Sequence, residues 1–273
     1  MPSTRAIAVP DPEGPSFHQV LIAKSTDGLN WETDNRILID QASVPEVVRF
    51  SDGRLGIYAV DGSGQGGPGY VYAESRDGGK TWTCGKMNFA GFGADPDIVW
   101  VAENTMRLYS VMFPFGPGQP PSPGQNTKPN SVNSAISTDG KNFSVEEGTR
   151  LEGVNYTDPD VIRVGNEWFM YVSTGPTAWA AKSNDGLKFE LIGKVNETGA
   201  VSGSFVFPDG KIRHYYCANS GIESALSDTG GSVWKKEIGI RIPKAENVKI
   251  VCDPSIISDG KSGYWMVYKI QPK

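Results

Sequence analysis

The feature that most limits how this chain can fold is a short pattern that comes back five times. It reads Ala-X-Ser-X-Asp-Gly, followed within a few residues by an aromatic. The copies are Ala23–Gly28 with Trp31, Ala73–Gly78 with Trp82, Ala135–Gly140 with Phe143 and Ala181–Gly186 with Phe189. A degraded copy runs Ala225–Gly230 with Trp234. A second pattern alternates with the first: Asp-Pro, an apolar run, a polar turn, and another apolar run containing tyrosine. Its copies begin at Pro45, Pro96, Pro159, Gly203 and Pro254 and reach Tyr58, Tyr109, Tyr171, Tyr215 and Tyr268, offsets of 13, 13, 12, 12 and 14 residues. Near-equal offsets in five copies mark an internal repeat, and the repeat decides the fold.

Each pattern reads as a hairpin. Asp-Gly supplies the left-handed φ that a tight turn needs, and β-branched and aromatic runs flank turns such as Ser51-Asp52-Gly53 and Pro208-Asp209-Gly210. Two hairpins make a four-stranded antiparallel sheet, and radial repetition of such sheets is a β-propeller. The sequence therefore predicts an all-β, single-domain, five-bladed propeller over residues 1–273. The 33 glycines and 19 prolines fit many short strands, and no long run has helical periodicity. The chain opens with an Asp-Gly hairpin (17–33) and ends with an unpartnered Asp-Pro hairpin (251–270), so the last blade is expected to be closed by strands from both termini. Closure of that kind hides sheet edges that would otherwise template aggregation.

Because strand direction alternates within a blade, the two patterns put their turns on opposite faces. Asp27, Asp77, Asp139 and Asp185 are expected to build turns, and the aromatics beside them to pack blades. Asp95, Asp158 and Asp253 instead converge at one mouth of the central channel, with Val44 and Ser202 at the corresponding places in the other blades. Two residues further on lie Glu46, Asp97, Asp160, Ser204 and Ser255. Clustered carboxyls in a concavity raise one another's pKa and can separate into an acid and a base. The candidate catalytic set is Asp95, Asp158, Glu46 and Asp253, with Asp97, Asp160 and Ser202 in support. Long loops at 61–69 and 113–130 share this face, and Trp179 is expected at its rim as a platform for a sugar ring.

A net charge of −5 with no basic stripe excludes a nucleic-acid or anionic-membrane partner. No apolar run is long enough to span a bilayer. The first ten residues lack the apolar core of a signal peptide, which leaves an intracellular protein or one whose export signal has been removed. Cys84, Cys217 and Cys252 are too few and scattered for a disulfide framework or a zinc site, and are expected as buried thiols.

Two resemblances follow. Ser75-Arg76-Asp77-Gly78-Gly79-Lys80-Thr81-Trp82 is similar to the Asp-box of sialidases, a marker of propeller turns; the sialidase arginine triad is not recognisable. The five Asp-Pro hairpins, covering essentially the whole chain, resemble the five-bladed glycoside hydrolases of families 43, 32 and 68. That resemblance implies three carboxylates at one end of the channel: a base or nucleophile, a supporting aspartate and a general acid. In register, Asp95 falls at the supporting aspartate, Asp158 at the acid and Val44 at the base. Valine has no proton-accepting group, so Glu46 or Asp253 would have to take that place. The expected function is thus a carbohydrate-active, glycosidase-like enzyme acting on a carbohydrate or other small molecule as a monomer, with no cofactor. A non-catalytic carbohydrate-binding or scaffold propeller is the alternative. A third reading is a metal-assisted enzyme holding Ca2+ or Mg2+ at the mouth through Asp95, Asp158 and Asp253 with His18 or His214.

Overall fold

The computed structural model describes residues 12–64, 69–89, 91, 93–114, 128–231 and 233–273. Residues 65–68 of the first long loop and 115–127 of the second therefore lie outside the described residues. Five antiparallel sheets stand around an axis, and their innermost strands touch in cyclic order. From axis to rim, blade one is Ala42–Arg49, Leu55–Asp61, Tyr70–Ser75 and Thr83–Lys86. Blade two is Ala94–Ala102, Thr105–Met112, Pro129–Ser137 and Asn142–Val145, with Asn88–Phe89 and Leu151–Val154 added at its edge. Blade three is Thr157–Val164, Glu167–Thr174, Thr177–Ser183 and Glu190–Asn196. Blade four is Ala200–Val206, Ile212–Ala218, Gly221–Ser227 and Lys235–Lys236, with Ile242–Pro243 beside its third strand.

Blade five is the split one. Val248–Ser258 and Tyr264–Pro272 from the C-terminus meet Gln19–Ser25 and Glu32–Asp40 from the N-terminus. The joint runs in unbroken register from Gln19 opposite Ile270 to Ser25 opposite Tyr264. The expected five-bladed propeller, closed by strands from both ends of the sequence, is the observed one.

The two repeated patterns meet across the blade seams. In the turns at Asp27, Asp139 and Asp185 the serine hydroxyl accepts the glycine N–H and the aspartate accepts the next two amides, as Ser137 Oγ takes Gly140 N at 3.0 Å and Asp139 Oδ1 takes Lys141 N and Asn142 N at 2.8 Å. The glycine carbonyl is then free for the preceding blade. Tyr58 donates to Gly140 O, Tyr109 to Gly186 O and Tyr215 to Gly28 O, each at 2.7 Å. Glycine is required twice over at these sites. Gly140 has φ +75°, and a Cβ there would lie 2.6 Å from the Phe50 ring and 2.7 Å from the Tyr58 hydroxyl.

A further repeat links blades two and four. Glu146-Glu147-Gly148-Thr149-Arg150 in blade two and Glu237-Ile238-Gly239-Ile240-Arg241 in blade four share Glu-X-Gly-X-Arg. Each glutamate forms an ion pair with a buried arginine of the second strand, Arg107 or Arg213, at 2.7 Å. Each motif arginine reaches carbonyls of a neighbouring Asp-Gly turn, Leu187 O for Arg150 and Leu29 O for Arg241.

The cysteine expectation is corrected. Cys217 and Cys252 form a disulfide, with Cα atoms 5.0 Å apart, and Cys84 is exposed. The pair is 35 residues apart in sequence, but the second strand of blade four and the first of blade five run side by side.

Two outcomes are expected. Deleting residues 1–24 removes most of the Gln19–Ser25 strand, leaving Tyr264–Pro272 an unpaired edge with apolar faces exposed, so the cooperative thermal melt should disappear. A truncated chain that still melts cooperatively would contradict the closure. In the full chain, Tyr58→Phe should cost about 1 kcal/mol in denaturant titration, one buried hydrogen bond. Gly140→Ala should cost more, about 1–3 kcal/mol from the left-handed backbone alone before the clash with Phe50.

Candidate functional site

The innermost strands all run from the same face, and each is interrupted near its start by a β-bulge. The register skips between Ser43 and Glu46, Ala94 and Asp97, Thr157 and Asp160, Ala200 and Ser202, and Cys252 and Ser255. At each bulge one non-glycine residue is left-handed: Val44 (φ 49°), Asp95 (54°), Asp158 (49°), Val201 (55°) and Asp253 (52°). Four of them precede proline, which disfavours helical backbone, and two are β-branched valines for which positive φ is a true outlier. Strain repeated five times around one opening is held by its surroundings, and strained backbone of this kind clusters at functional sites. It also corrects the sequence alignment of blade four. The residue at the mouth position is Val201, and Ser202 lies one step deeper.

The surroundings that hold the strain are hydrogen bonds from the preceding blade. Val44 N donates to Asp253 Oδ2 at 3.1 Å, Asp158 N to Asp95 Oδ2 at 3.3 Å, Val201 N to Ser173 Oγ at 2.8 Å and Asp253 N to Cys217 Sγ at 3.2 Å. Asp95 and Asp253 therefore each spend one carboxylate oxygen on the ring itself. Asp158 makes no such bridge among the described residues; its carboxyl is hydrogen-bonded by neighbouring Thr157.

Sequence reasoning missed the fourth charged member of this mouth. Lys269 Nζ lies 2.7 Å from Asp253 Oδ2, with Asp253 buried and the lysine side chain 12% exposed. Its pKa is raised: burial opposes its charge, and Asp253, Asp158 and Asp95 outweigh that. Lys269 follows the repeated tyrosine, a place filled by Ala59, Ser110, Val172 and Tyr216 in the other blades. Nothing but that comparison would have singled it out. Burial pushes Asp95 up to about 6, helped by the charge of Asp253. Asp158 is raised well above the usual carboxylate range by burial and then by Asp95 and Asp253, with Lys269 pulling the other way. Asp253 Oδ1 is buried without a hydrogen-bond partner.

Glu46, Asp97 and Asp160 form a separate, deeper layer. They stand with Gly203 and Ser255 at one end of an axial cavity of about 380 Å3, whose other end carries Arg49, Trp100, Arg163 and Ser258. Burial raises all three acids; Asp160 adds to Glu46, and Glu46 and Asp160 add to Asp97. Part of this layer is also seam chemistry. Asp97 accepts Val161 N at 3.2 Å, Asp160 accepts Ser204 N at 2.9 Å, and Ser255 accepts Val47 N at 3.0 Å. The hydroxyls of Ser202 and Ser204 both donate to Asp160 Oδ2 at 2.7 Å. Glu46 thus shares a layer with Asp97 and Asp160, while Asp95, Asp158 and Asp253 group with Lys269.

The remaining candidates fall elsewhere. Trp179 packs with the core cluster between blades two and three, its indole N–H on Thr174 Oγ1 at 2.8 Å and Lys194 over its ring. His214 is fully buried against Tyr171, 2.9 Å from Ser204 Oγ, and burial lowers its pKa to about 3, so it is neutral. His18 lies 2.9 Å from Ser43 Oγ. Among the described residues the one group of three with metal-ligand spacing is Cys217, Cys252 and Asp253, and its two sulfurs are bonded to each other.

No protein-family description matches this sequence, and no curated protein does. Solved structures do. A thermostable family-43 glycoside hydrolase superposes with a TM-score of 0.64 at 15% identity, covering 85% of this chain and 86% of that one. A family 117 glycoside hydrolase from Zobellia galactanivorans gives 0.58 at 14% identity, covering 94% and 91%. A GH43 protein from Bacillus licheniformis gives 0.63 at 14% identity over 83% of this chain, which spans only 48% of that protein. At such identities the likeness is one of fold: the chain has the five-bladed propeller that these glycoside hydrolases share.

Proposed function

We propose that this chain is a carbohydrate-active protein that cleaves a glycosidic bond at the mouth formed by Asp95, Asp158, Asp253 and Lys269. The observation that carries the reading is the division of labour among the three aspartates. Asp95 and Asp253 anchor the strained ring, and Asp253 is ion-paired to Lys269. Asp158 is left half-buried, free of the ring and raised toward its protonated form. A protonated carboxyl beside an ionised one is what glycoside cleavage needs. Asp158 would give its proton to the leaving glycosidic oxygen as the C–O bond breaks. Asp253 would accept the proton of the water that attacks the anomeric carbon. Lys269, 2.7 Å from its Oδ2, would hold that carboxylate in place. Its ammonium also supplies a counter-charge among the three mouth carboxyls. The fold shared with glycoside hydrolases of families 43 and 117 supports the same substrate class.

A second reading has its own observation. Two of the five mouth positions are Val44 and Val201, which can take no part in proton transfer. A propeller that binds sugar without cleaving it would tolerate them.

One comparison separates the outcomes. Asp158→Asn should lower turnover of a hydrolysable glycoside by at least about a hundredfold, while Asp185→Asn, in a turn of the opposite face, should cost stability and leave the rate per folded molecule unchanged. Equal effects on activity per folded molecule would refute the site. If the native protein turns over no glycoside yet Asp158→Asn alone abolishes sugar binding, the second reading holds.

The pH profile tests Lys269. Its positive charge favours the ionised forms of Asp158 and Asp95, so removing it should make these two hold protons to higher pH. In Lys269→Met the alkaline limb of kcat/KM should therefore move upward and turnover fall, with the fold verified by thermal melt. A profile that does not move would remove Lys269 from the mechanism.

A further inference from the structure

A second concavity opens beside the mouth, along the seam between blades four and five. Its volume is about 340 Å3, within the range of roughly 300–1,000 Å3 typical of small-molecule pockets. It borders the mouth: Val201, the blade-four mouth residue, lines it, as does Cys252, which precedes Asp253. The Cys217–Cys252 disulfide is part of its lining and ties blade four to blade five there.

Its charge is opposite to that of the mouth. No aspartate or glutamate lines it, although the chain as a whole carries −5. Lys244 and Lys249 do, together with the exposed amide of Asn219. Lys244 has no ion pair among the described residues, and Lys249 meets one exposed glutamate, Glu13, at 2.7 Å. The segment carrying both lysines is fixed at each end. Lys244 N donates to Ser220 O at 2.9 Å beside the pairing of Ile242 with Ile222, and Val248 N donates to Ala245 O at 3.0 Å. Two exposed lysines on a backbone fixed at both ends, beside a wall cross-linked by the disulfide, give this concavity a positive lining.

We infer that this seam pocket is a subsite for an anionic sugar unit, carboxylated or sulfated, belonging to the same glycan whose neighbouring unit occupies the mouth. The inference rests on the proposed carbohydrate reading and narrows its substrate class. It also fixes a direction. The acidic mouth repels an anionic unit and the lysines attract it, so the charged unit goes to the blade four–five side of the bond to be cleaved.

The test uses the native protein and a Lys244→Gln/Lys249→Gln variant, titrated calorimetrically with neutral, uronate-bearing and sulfated oligosaccharides. The native protein should bind one of the anionic classes about tenfold more tightly than neutral chains at low salt, and the advantage should shrink at high salt. The double variant should lose the advantage and keep native affinity for neutral chains. The class preferred, uronate or sulfate, identifies the substituent. Equal affinity for neutral and anionic chains, or a preference that survives the double substitution, would overturn the subsite and leave the mouth intact. Absence of binding by every class would overturn the mouth reading, and the subsite with it.

Discussion

The fold depends on a hydroxyl reaching across a seam. In a propeller each blade touches only its neighbours, so the ring is as specific as its blade-to-blade contacts. Three of five seams use one device, a buried tyrosine bonded to the glycine carbonyl of the next blade's Asp-Gly turn. This explains why two patterns from different hairpins recur together. The turn leaves a carbonyl exposed, and the tyrosine of the preceding blade takes it. Where one partner degrades, the seam changes its chemistry. The blade-four turn has Thr229 in place of aspartate, with a hydroxyl accepting Val233 N at 2.9 Å, and the facing Tyr171 hydroxyl has no hydrogen-bond partner. At the seam from blade five to blade one, Trp265 packs on Gly79, and Tyr268 turns to Thr33 in its own blade.

A ring locked on one face sets the conditions on the other. With the strands fixed by their seams, the bulges at the mouth hold valine and aspartate in backbone they would not choose alone. The bonds that keep them there come from the blade before. Two aspartates are drawn into that task, and the lysine beside Asp253 offsets the charge they bring together. Asp253 keeps one oxygen outside that task, and the carboxyl of Asp158 takes no part in it.

Much of this was legible. Blade number, strand order and the split closure follow from spacing, because the repeat is a physical unit with fixed geometry. The faces follow from strand alternation. Blade four was read one residue out of register because Ala200-Val201-Ser202-Gly203 carries no Asp-Pro to mark the bulge. The disulfide was not legible, since it joins strands of different blades and neither cysteine has a distinctive neighbour. Lys269 was not legible for a related reason. Its partners arrive from three other stretches of chain, and one lysine in a β-strand carries no signal of its own. The separation of Glu46 from Asp95, Asp158 and Asp253 is likewise a matter of depth along the axis, which spacing alone does not resolve.

Aspartate does two jobs in this protein, and its hydrogen-bond donors tell them apart. Asp77 accepts the Thr81 hydroxyl and the amides of Thr81 and Lys80, and those bonds hold it below the ordinary carboxylate range. At Asp139 burial works against ionisation, but the amides of Asn142 and Lys141 and the Asn142 side chain outweigh it. A carboxylate saturated by donors in this way is a strong structural acceptor and a poor acid. Asp158 has the reverse environment, with few donors, two like charges nearby and little water. Its ionised form is the costly one, so it tends to keep a proton that it can give away. The same residue type, repeated in one chain of five similar blades, is thus assigned to fold or to chemistry by how many N–H groups point at it.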